Sequence, residues 1–308
     1  MDQLFLVIVV ILYFRVAIST LAGRVEYLPG FQGPLPFHLE TGYRLIPPLY
    51  MCTYFCSYIG VDENEDVQLF YYFIQSESNP RDDPLMLWIS GGPGCSSITG
   101  LLYSIVNYNE SLPTLILRPN SWTKMASIIF LDIPVGTGFS YATTTRATHS
   151  NDLQLAKHAY EFMRKWLKSH PGFVSNPFYI GGDSYSGIPI PAIAQLISNG
   201  NDVGNEPRIN MKGYVLGNPR TFPNENNFDI RFANEYISVN NVACRKNLES
   251  YEQGSIGHWV RCSSDLRFTK ILEDVRPYHQ NLSKKDLNYT VTDRWRSWKL
   301  RGQIAGSM

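Results

Sequence analysis

The 308-residue sequence has no excess of either charge and few charged residues. Lys and Arg together number 27, as do Asp and Glu, so the formal net charge is zero. Charged residues make up 18% of the chain, below the usual quarter. No block of basic residues occurs, which argues against nucleic acid or an anionic membrane as the main partner. No internal repeat is present, so a repeat architecture is not indicated.

Cysteines are few and odd in number: Cys52, Cys56, Cys95, Cys244 and Cys262. They permit disulfides in an oxidising compartment, but at least one thiol stays unpaired within the chain. The spacing of Cys52 and Cys56 could suit a metal, yet no paired ligands lie nearby in the sequence. We therefore predict no metal site and no cofactor.

No apolar run is long enough to span a bilayer. The run at residues 4–14 ends at Arg15 and suits the apolar region of a signal peptide, although a buried strand is the alternative. We predict a signal peptide at 1–22 and a mature domain at 23–308, in the secretory pathway, secreted or vacuolar. Sequons at Asn109, Asn281 and Asn288 are glycosylation sites if they are exposed and exported, but such triplets also occur by chance.

Strands and helices alternate along the first two thirds of the chain. Strands are predicted at 67–74, 85–90, 127–132 and 213–216, and an amphipathic helix at 152–169. This alternation predicts an α/β fold with a mainly parallel sheet and helices on both faces. After residue 220 the pattern weakens.

The segment Phe178-Tyr-Ile-Gly-Gly-Asp-Ser-Tyr-Ser-Gly187 has the layout of a strand, a tight turn and a helix. A serine on such a turn between glycines is typical of a nucleophile elbow, with the helix N-terminus beside a developing oxyanion. By pattern alone, a plain glycine- and serine-rich loop is the commoner interpretation.

Two further motifs decide between these interpretations. They are Gly91-Gly-Pro-Gly-Cys-Ser-Ser97 and Phe130-Leu-Asp-Ile-Pro-Val-Gly-Thr-Gly-Phe-Ser-Tyr141. Together with Gly182-Asp-Ser-Tyr-Ser-Gly187, in this order and spacing, they resemble the serine carboxypeptidase-like proteins, especially the plant acyltransferase-type branch. The resemblance implies an α/β-hydrolase fold, with Ser184 as nucleophile and the backbone N–H groups of Gly92 and Tyr185 as the oxyanion hole. It also implies a disulfide between Cys95 and Cys262.

Two positions depart from the peptidase members of the family. Those enzymes have Asn before the glycine-rich loop and Glu before the serine, which together bind the terminal carboxylate of a peptide. This chain has Ser90 and Asp183, as do family members resembling sinapoylglucose-type acyltransferases. Both are predicted substrate-binding residues, although Asp183 could equally be a turn residue that bonds its own loop.

Several family segments are absent from the sequence. The triad Asp and the Gly-Gly-His segment find no match, and jumps relative to the family occur near 103–110, 253–254 and 286–288. Residues 44–57 match nothing in the family. We interpret this as a splice variant or imperfect gene model, with a reduced cap and an incomplete C-terminal part of the sheet. The later histidines, His258 and His279, are predicted to be surface or structural residues rather than a substitute base.

Three functions follow as expectations. The first is acyl transfer through a serine acyl-enzyme, to water or to an alcohol, from a small acyl ester or a peptide. The second is a catalytically inactive form that lacks the triad Asp and His. The third, an intact peptidase, is disfavoured by Ser90 and Asp183. The oligomeric state is not predictable from the sequence.

Overall fold

The computed structural model describes residues 23–27, 31–41, 43–45, 54–56, 58–104, 106–108, 115–219, 260–285 and 287–292. In chain order the described strands are β1 Gly23–Val25, β2 Leu39–Thr41, β3 Tyr43–Leu45, β4 Tyr54–Cys56, β5 Ile59–Val61, β6 Val67–Leu69, β7 Tyr71–Ile74, β8 Leu85–Ile89, β9 Val106–Tyr108, β10 Leu115–Leu117, β11 Ser127–Leu131, β12 Tyr141–Ala142, β13 Ser150–Asn151, β14 Phe178–Asp183, β15 Met211–Gly217, β16 Phe268–Thr269 and β17 Asn288–Thr292. The described α-helices are α1 Ile98–Ser104, α2 Asp152–Ser169, α3 Pro189–Asp202 and α4 Arg276–Ser283.

One mixed sheet of eight strands forms the centre of the fold, in the order β1-β2-β7-β11-β8-β14-β15-β17. The pairs from β1 to β11 are antiparallel, and those from β11 to β17 are parallel. The α/β class and the mainly parallel sheet are therefore confirmed. The sheet continues beyond β15 through β17. Residues 293–308, to which the predicted incompleteness also refers, lie outside the described residues.

Alternate side chains of the central strands enter two separate cores. On β8, Leu85, Leu87 and Ile89 face the core that also buries apolar residues of α2, α3 and α4. The intervening Trp88 packs in the second core, which includes Ile98 of α1. This alternation follows from the two-residue period of a strand, and it explains why β8 is a continuous apolar run. Helices cover both faces of the sheet.

The helix predicted at 152–169 coincides with α2, whereas the strand predicted at 67–74 is two strands. The predicted continuous strand is therefore wrong. Its chain breaks at Phe70, whose N–H donates to Ser140 Oγ at 2.8 Å instead of to a neighbouring strand. β6 then joins β5 and β12 in a small sheet, and β7 joins the large one.

The parallel strands β8, β11 and β14 end at the same edge of the sheet. Three loops leave this edge: the oxyanion loop (Gly91–Ser97), the segment Asp132–Ser140, and the elbow (Ser184–Gly187). The three sequence motifs that carry the family resemblance therefore meet at one edge. In α/β sheets this is where substrates bind.

Candidate active site

The elbow presents Ser184 to solvent from an otherwise buried turn. Ser184 follows the last residue of β14, has φ of 54°, and is exposed, while the residues from Tyr185 to Pro191 are buried. A non-glycine residue in this left-handed region costs about 1–3 kcal/mol, which persists only where the surroundings enforce it. Gly182 makes the turn possible, because a methyl group there would lie 2.4 Å from the Ile89 carbonyl oxygen. This is the geometry of a nucleophile elbow.

The oxyanion loop crosses directly over the elbow. A methyl group on Gly91 would lie 2.7 Å from both the Asp183 carbonyl oxygen and the Tyr185 nitrogen, so no side chain fits between the two segments. Gly92 has φ of 114°, a conformation that favours glycine. The structure thus brings the segments of the two predicted oxyanion donors, Gly92 and Tyr185, to the side of Ser184.

A buried carboxylate beneath the oxyanion loop holds its shape. Asp132 is fully buried, and its Oδ1 accepts hydrogen bonds from Ser96 Oγ at 2.7 Å and Ser97 N–H at 2.9 Å. Its Oδ2 accepts from Phe139 N–H at 3.2 Å. Burial raises the pKa of Asp132 to about 6, although these three donors act in the opposite direction. Gly138 contacts this carboxylate so closely that a methyl group would lie 2.0 Å from Oδ2.

A later part of the chain, the bracing segment (residues 260–272), also fixes the oxyanion loop. Cys95 and Cys262 form a disulfide, as the family resemblance implied. On either side of it, Ser96 N–H donates to the Arg261 carbonyl at 2.7 Å and Ser263 N–H donates to the Gly94 carbonyl at 2.9 Å. The loop is therefore attached by one covalent bond and two backbone hydrogen bonds.

The two predicted substrate-binding residues lie at the ends of neighbouring strands. Ser90 is 8% exposed, and its N–H donates to Ser97 Oγ at 3.0 Å. Burial raises the pKa of Asp183 to about 6, against the lowering effects of a hydrogen bond from Gly91 N–H and the charge of Arg261. The bond from Gly91 agrees with the turn-residue interpretation, and the position beside Ser184 agrees with a substrate contact. Both interpretations stay open.

His279, which follows Ser184 in the sequence, makes its contact away from the elbow. His279 lies on α4, where its Nδ1 is 2.6 Å from the Tyr214 hydroxyl. Tyr214 pairs with Ile180 of β14, and Ile180 precedes Ser184 by four residues. Four residues of extended chain span about 13 Å, so the contact of His279 with Tyr214 lies well away from Ser184. Burial lowers the pKa of His279. His258 and the predicted positions of the chain jumps near 253–254 lie outside the described residues.

Two aspartates of this region were not predicted as site residues. The sequence pattern predicts only a strand end at Asp132 and a helix start at Asp152. Asp152 is fully buried and accepts a hydrogen bond from the Tyr185 hydroxyl at 2.7 Å. The sequence signal for both was an acid directly beside an apolar element, which is also common at helix starts and in turns.

The remaining predicted residues lie away from the elbow or outside the described part. Asn281 is exposed on α4, and Asn288 is the first residue of β17. Asn109 lies outside the described residues. Within the described ranges, no group of three or more His, Cys, Asp or Glu residues is placed to hold a metal ion. None of the helices described is long and apolar enough to cross a membrane.

Comparison with known proteins gives a consistent picture. The family model described as serine carboxypeptidase matches residues 29–282. Serine carboxypeptidase-like 7 of Arabidopsis thaliana is 38% identical over 389 positions, covering 92% of this chain and 85% of that protein. Serine carboxypeptidase-like 17 of the same plant is 37% identical, covering 92% of this chain and 84% of that protein. Both alignments are longer than the chain itself, so they contain gaps on its side.

A solved structure supports the fold. The prohormone-processing carboxypeptidase Kex1 of Saccharomyces cerevisiae superposes with a TM-score of 0.61 at 17% identity, covering 89% of this chain and 76% of that one. At this identity the likeness establishes the fold alone. With the family match and the relatives at 37–38% identity, the elbow geometry leads to one conclusion. The chain belongs to the serine carboxypeptidase family and has an α/β-hydrolase fold.

Proposed function

We propose that this protein transfers acyl groups through an acyl-enzyme formed on Ser184. The observation that carries the proposal is the exposed Ser184 at φ of 54°, with the oxyanion loop packed against the elbow. Ser184 Oγ attacks the carbonyl carbon of an ester or peptide. The carbonyl oxygen becomes an oxyanion, which the N–H groups of Gly92 and Tyr185 stabilise. The leaving group departs with the proton that Ser184 gave up. Water or an alcohol then attacks the acyl-enzyme, the bond from the acyl group to Ser184 Oγ breaks, and the acceptor's proton restores the Ser184 hydroxyl.

The Ser184 hydroxyl must give up its proton to a base during the reaction. A form of the protein without such a base is the second candidate function. No internal segment of the sequence matches the one that carries the family's triad Asp, and the alignments to relatives contain gaps on the side of this chain. These observations favour a form that binds acyl esters without turning them over. Losing a triad aspartate removes on the order of 10⁴ in turnover.

Labelling with a fluorophosphonate probe separates the two functions. The purified protein is treated with the probe, and the modified residue is located by mass spectrometry. Labelling of Ser184 that is lost in Ser184→Ala supports acyl transfer. Ser186→Ala is the matched control, because Ser186 is 1% exposed and its Oγ donates to the Asp183 carbonyl at 2.7 Å. Protein that stays unlabelled would support the inactive form.

The substrate class rests on Ser90 and Asp183. With Ser and Asp at these positions, we propose an acyl ester donor and an alcohol acceptor rather than a peptide C-terminus. The double variant Ser90→Asn, Asp183→Glu introduces the pair found in peptidase members. Release of a C-terminal amino acid by the variant, but not by the wild-type protein, supports the assignment. Equal peptide cleavage by both proteins would contradict it.

The export predicted from residues 1–22 is also a proposal. The exposure of Asn281 on α4 supports its glycosylation in the secretory pathway. Expression in a plant cell and treatment with an N-glycosidase is expected to give a mass shift that Asn281→Gln reduces. Intracellular, unglycosylated protein with residues 1–22 retained would contradict export.

A further inference from the structure

We propose that Asp152 is a positioning residue for the oxyanion hole. It holds Tyr185, whose backbone N–H is one of the two proposed donors, through the tyrosine's own side chain. This inference rests on the proposed function, because it gives a structural role to a residue that serves that reaction. Asp152 lies 33 positions away from Tyr185 in the sequence, on a different element.

Asp152 accepts hydrogen bonds from two separate parts of the chain. Its Oδ1 accepts from the Tyr185 hydroxyl at 2.7 Å. Its Oδ2 accepts from the backbone N–H groups of Ile271 at 2.6 Å and Leu272 at 3.0 Å. A carboxylate at the first position of a helix is also favoured by the helix dipole. A single fully buried group therefore ties the elbow to the bracing segment.

The ring of Tyr185 is enclosed by the same part of the chain. Tyr185 is 2% exposed and packs in a small buried cluster with Ile188 and Val275. Phe268 meets its ring edge-on, with centroids 6.2 Å apart. The Lys270 ammonium lies 5.3 Å from the ring centroid, within the range of a cation–π contact. The hydroxyl bond to Asp152 fixes the far end of a side chain that is already confined along its length.

The bracing segment thereby contacts both sides of the oxyanion hole. On the Gly92 side it is joined to the oxyanion loop by the Cys95–Cys262 disulfide and its two flanking backbone bonds. On the Tyr185 side it is joined through Asp152. The parallel pairing of β13 with β16 places the start of α2 against this segment. Asp152 therefore helps to fix the position of the Tyr185 N–H relative to that of the Gly92 N–H.

Such an anchor has a chemical use at this position. Oxyanion donors act by being preorganised at 2.7–3.1 Å from the oxygen, and removing one donor costs about 10²–10³ in rate. Ser184 is held in a left-handed conformation, so the peptide that carries the Tyr185 N–H needs an external restraint. The bond between Tyr185 and Asp152 supplies it without involving the reacting atoms.

Tyr185→Phe is the sharpest test, because it removes the hydroxyl and keeps both the ring and the backbone N–H. The matched control is Tyr71→Phe, which deletes a buried hydroxyl that donates to the Glu40 carboxylate at 2.8 Å. Tyr71 lies on β7, three strands from β14, and has no part in the proposed site. Asp152→Asn is the conservative variant: its Oδ1 can accept from both backbone amides while its Nδ2 donates to the Tyr185 hydroxyl oxygen.

Two readouts are measured on the full chain. The first is the rate of fluorophosphonate labelling of Ser184, which we expect to fall about tenfold to a hundredfold in Tyr185→Phe. It should stay within about threefold of wild type in Tyr71→Phe and Asp152→Asn. The second is amide hydrogen exchange at Ile188, whose N–H donates to the Tyr185 carbonyl at 2.9 Å and so reports the turn itself. Exchange there should be faster in Tyr185→Phe than in Tyr71→Phe.

The outcomes separate this inference from the proposed function. Wild-type protein that is not labelled overturns the proposed function, and Ile188 exchange then decides the anchor by itself. Faster exchange in Tyr185→Phe but not in Tyr71→Phe supports the anchor, provided that, where wild-type protein is labelled, Tyr185→Phe is also labelled more slowly. Wild-type exchange at Ile188 in Tyr185→Phe overturns it, as does labelling of that variant at the wild-type rate. Equal changes in Tyr185→Phe and Tyr71→Phe also overturn it, since they would reflect general loss of stability.

Discussion

Two buried tyrosines donate to buried carboxylates in different regions of the molecule. At the elbow Tyr185 donates to Asp152, and near one end of the sheet Tyr71 donates to Glu40, at 2.7 and 2.8 Å. The other partners of the two acids differ. Asp152 accepts from backbone N–H groups, whereas Glu40 lies 3.2 Å from the His170 imidazole Nε2.

This difference shows that one type of bond can serve two purposes. A carboxylate that accepts from backbone amides fixes the path of the chain, and its bonds do not depend on the titration of a neighbour. A carboxylate that faces an imidazole and a tyrosine hydroxyl fixes side chains and leaves the path of the backbone to other contacts. The elbow region has the first arrangement, as does Asp132 with Ser97 and Phe139. The two acids near the elbow are therefore themselves held by main-chain donors, of the bracing segment for Asp152 and of Ser97 and Phe139 for Asp132.

The largest expected effect comes from deleting the two carboxylates. Asp152→Ala leaves one buried hydroxyl and two partly buried backbone donors without their acceptor, and we expect a loss of about 3–5 kcal/mol in the free energy of unfolding. Glu40→Ala should cost about 1–3 kcal/mol, because the imidazole left behind can change its tautomer. Urea unfolding of both variants measures the difference. An equal or larger loss of stability in Glu40→Ala would contradict the stronger structural role given to Asp152.

A methyl group at the crossing of loop and elbow should reduce both stability and labelling. In Gly91→Ala the added carbon meets backbone atoms at 2.7 Å, which cannot move aside, so we expect about 1–3 kcal/mol of destabilisation and slower labelling of Ser184. Gly172→Ala is the matched control, because nothing lies within 4 Å of its added carbon. Thermal unfolding and labelling of both variants test this. A well-tolerated Gly91→Ala would mean that the elbow is not held by its backbone contacts.

Asp132→Asn extends the comparison to a third buried acid. Its amide nitrogen would face the Phe139 N–H or the Ser97 N–H, donor against donor, and we expect a loss of about 2–3 kcal/mol at neutral pH. The folded-state pKa of Asp132, about 6, lies above the unfolded value of about 3.9, so this acid contributes stability at pH 4 that is lost as the pH rises to 6. The deficit of the variant should therefore be larger at pH 4 than at pH 7. A stability deficit of Asp132→Asn that is larger at pH 7 than at pH 4 would contradict the raised pKa of Asp132.

The smallest effect concerns the titration of His38, close to Glu40. Burial lowers the pKa of His38, and the charges of Arg24 and His170 lower it further while Glu40 opposes them. The folded state therefore binds the proton less readily than the unfolded state, whose pKa is about 6.5, and stability falls as the pH drops below that value. His38→Gln should lose less stability than wild type between pH 7.5 and pH 5. Urea midpoints at the two pH values measure this. An equal loss of stability in both proteins would show that His38 does not cause the pH dependence.

Features of the fold and the site could be predicted from the sequence where the residues that cause them are close together in the chain. The helix Asp152–Ser169 was predicted to the residue, because its apolar period and its ends are encoded within the segment. The elbow and oxyanion loop were predicted as motifs, since glycines are required where backbones touch. The break at Phe70 was not, because its cause is a hydroxyl 70 residues away. The anchoring role of Asp152 was hidden for the same reason, since both of its partners are distant in the chain.

The separation of 167 residues between Cys95 and Cys262 has a consequence for biosynthesis. A ribosome adds roughly 5–20 residues per second, so the glycine-rich loop and the serine turn exist for many seconds before their later partner emerges. During that interval both segments lack the contacts that the bracing segment supplies, and non-local contacts of this kind form late. A nascent chain stopped before residue 260 would carry the three motifs of the loop, the 130–141 segment and the elbow, yet it would lack the disulfide and the hydrogen bonds through which the bracing segment joins them.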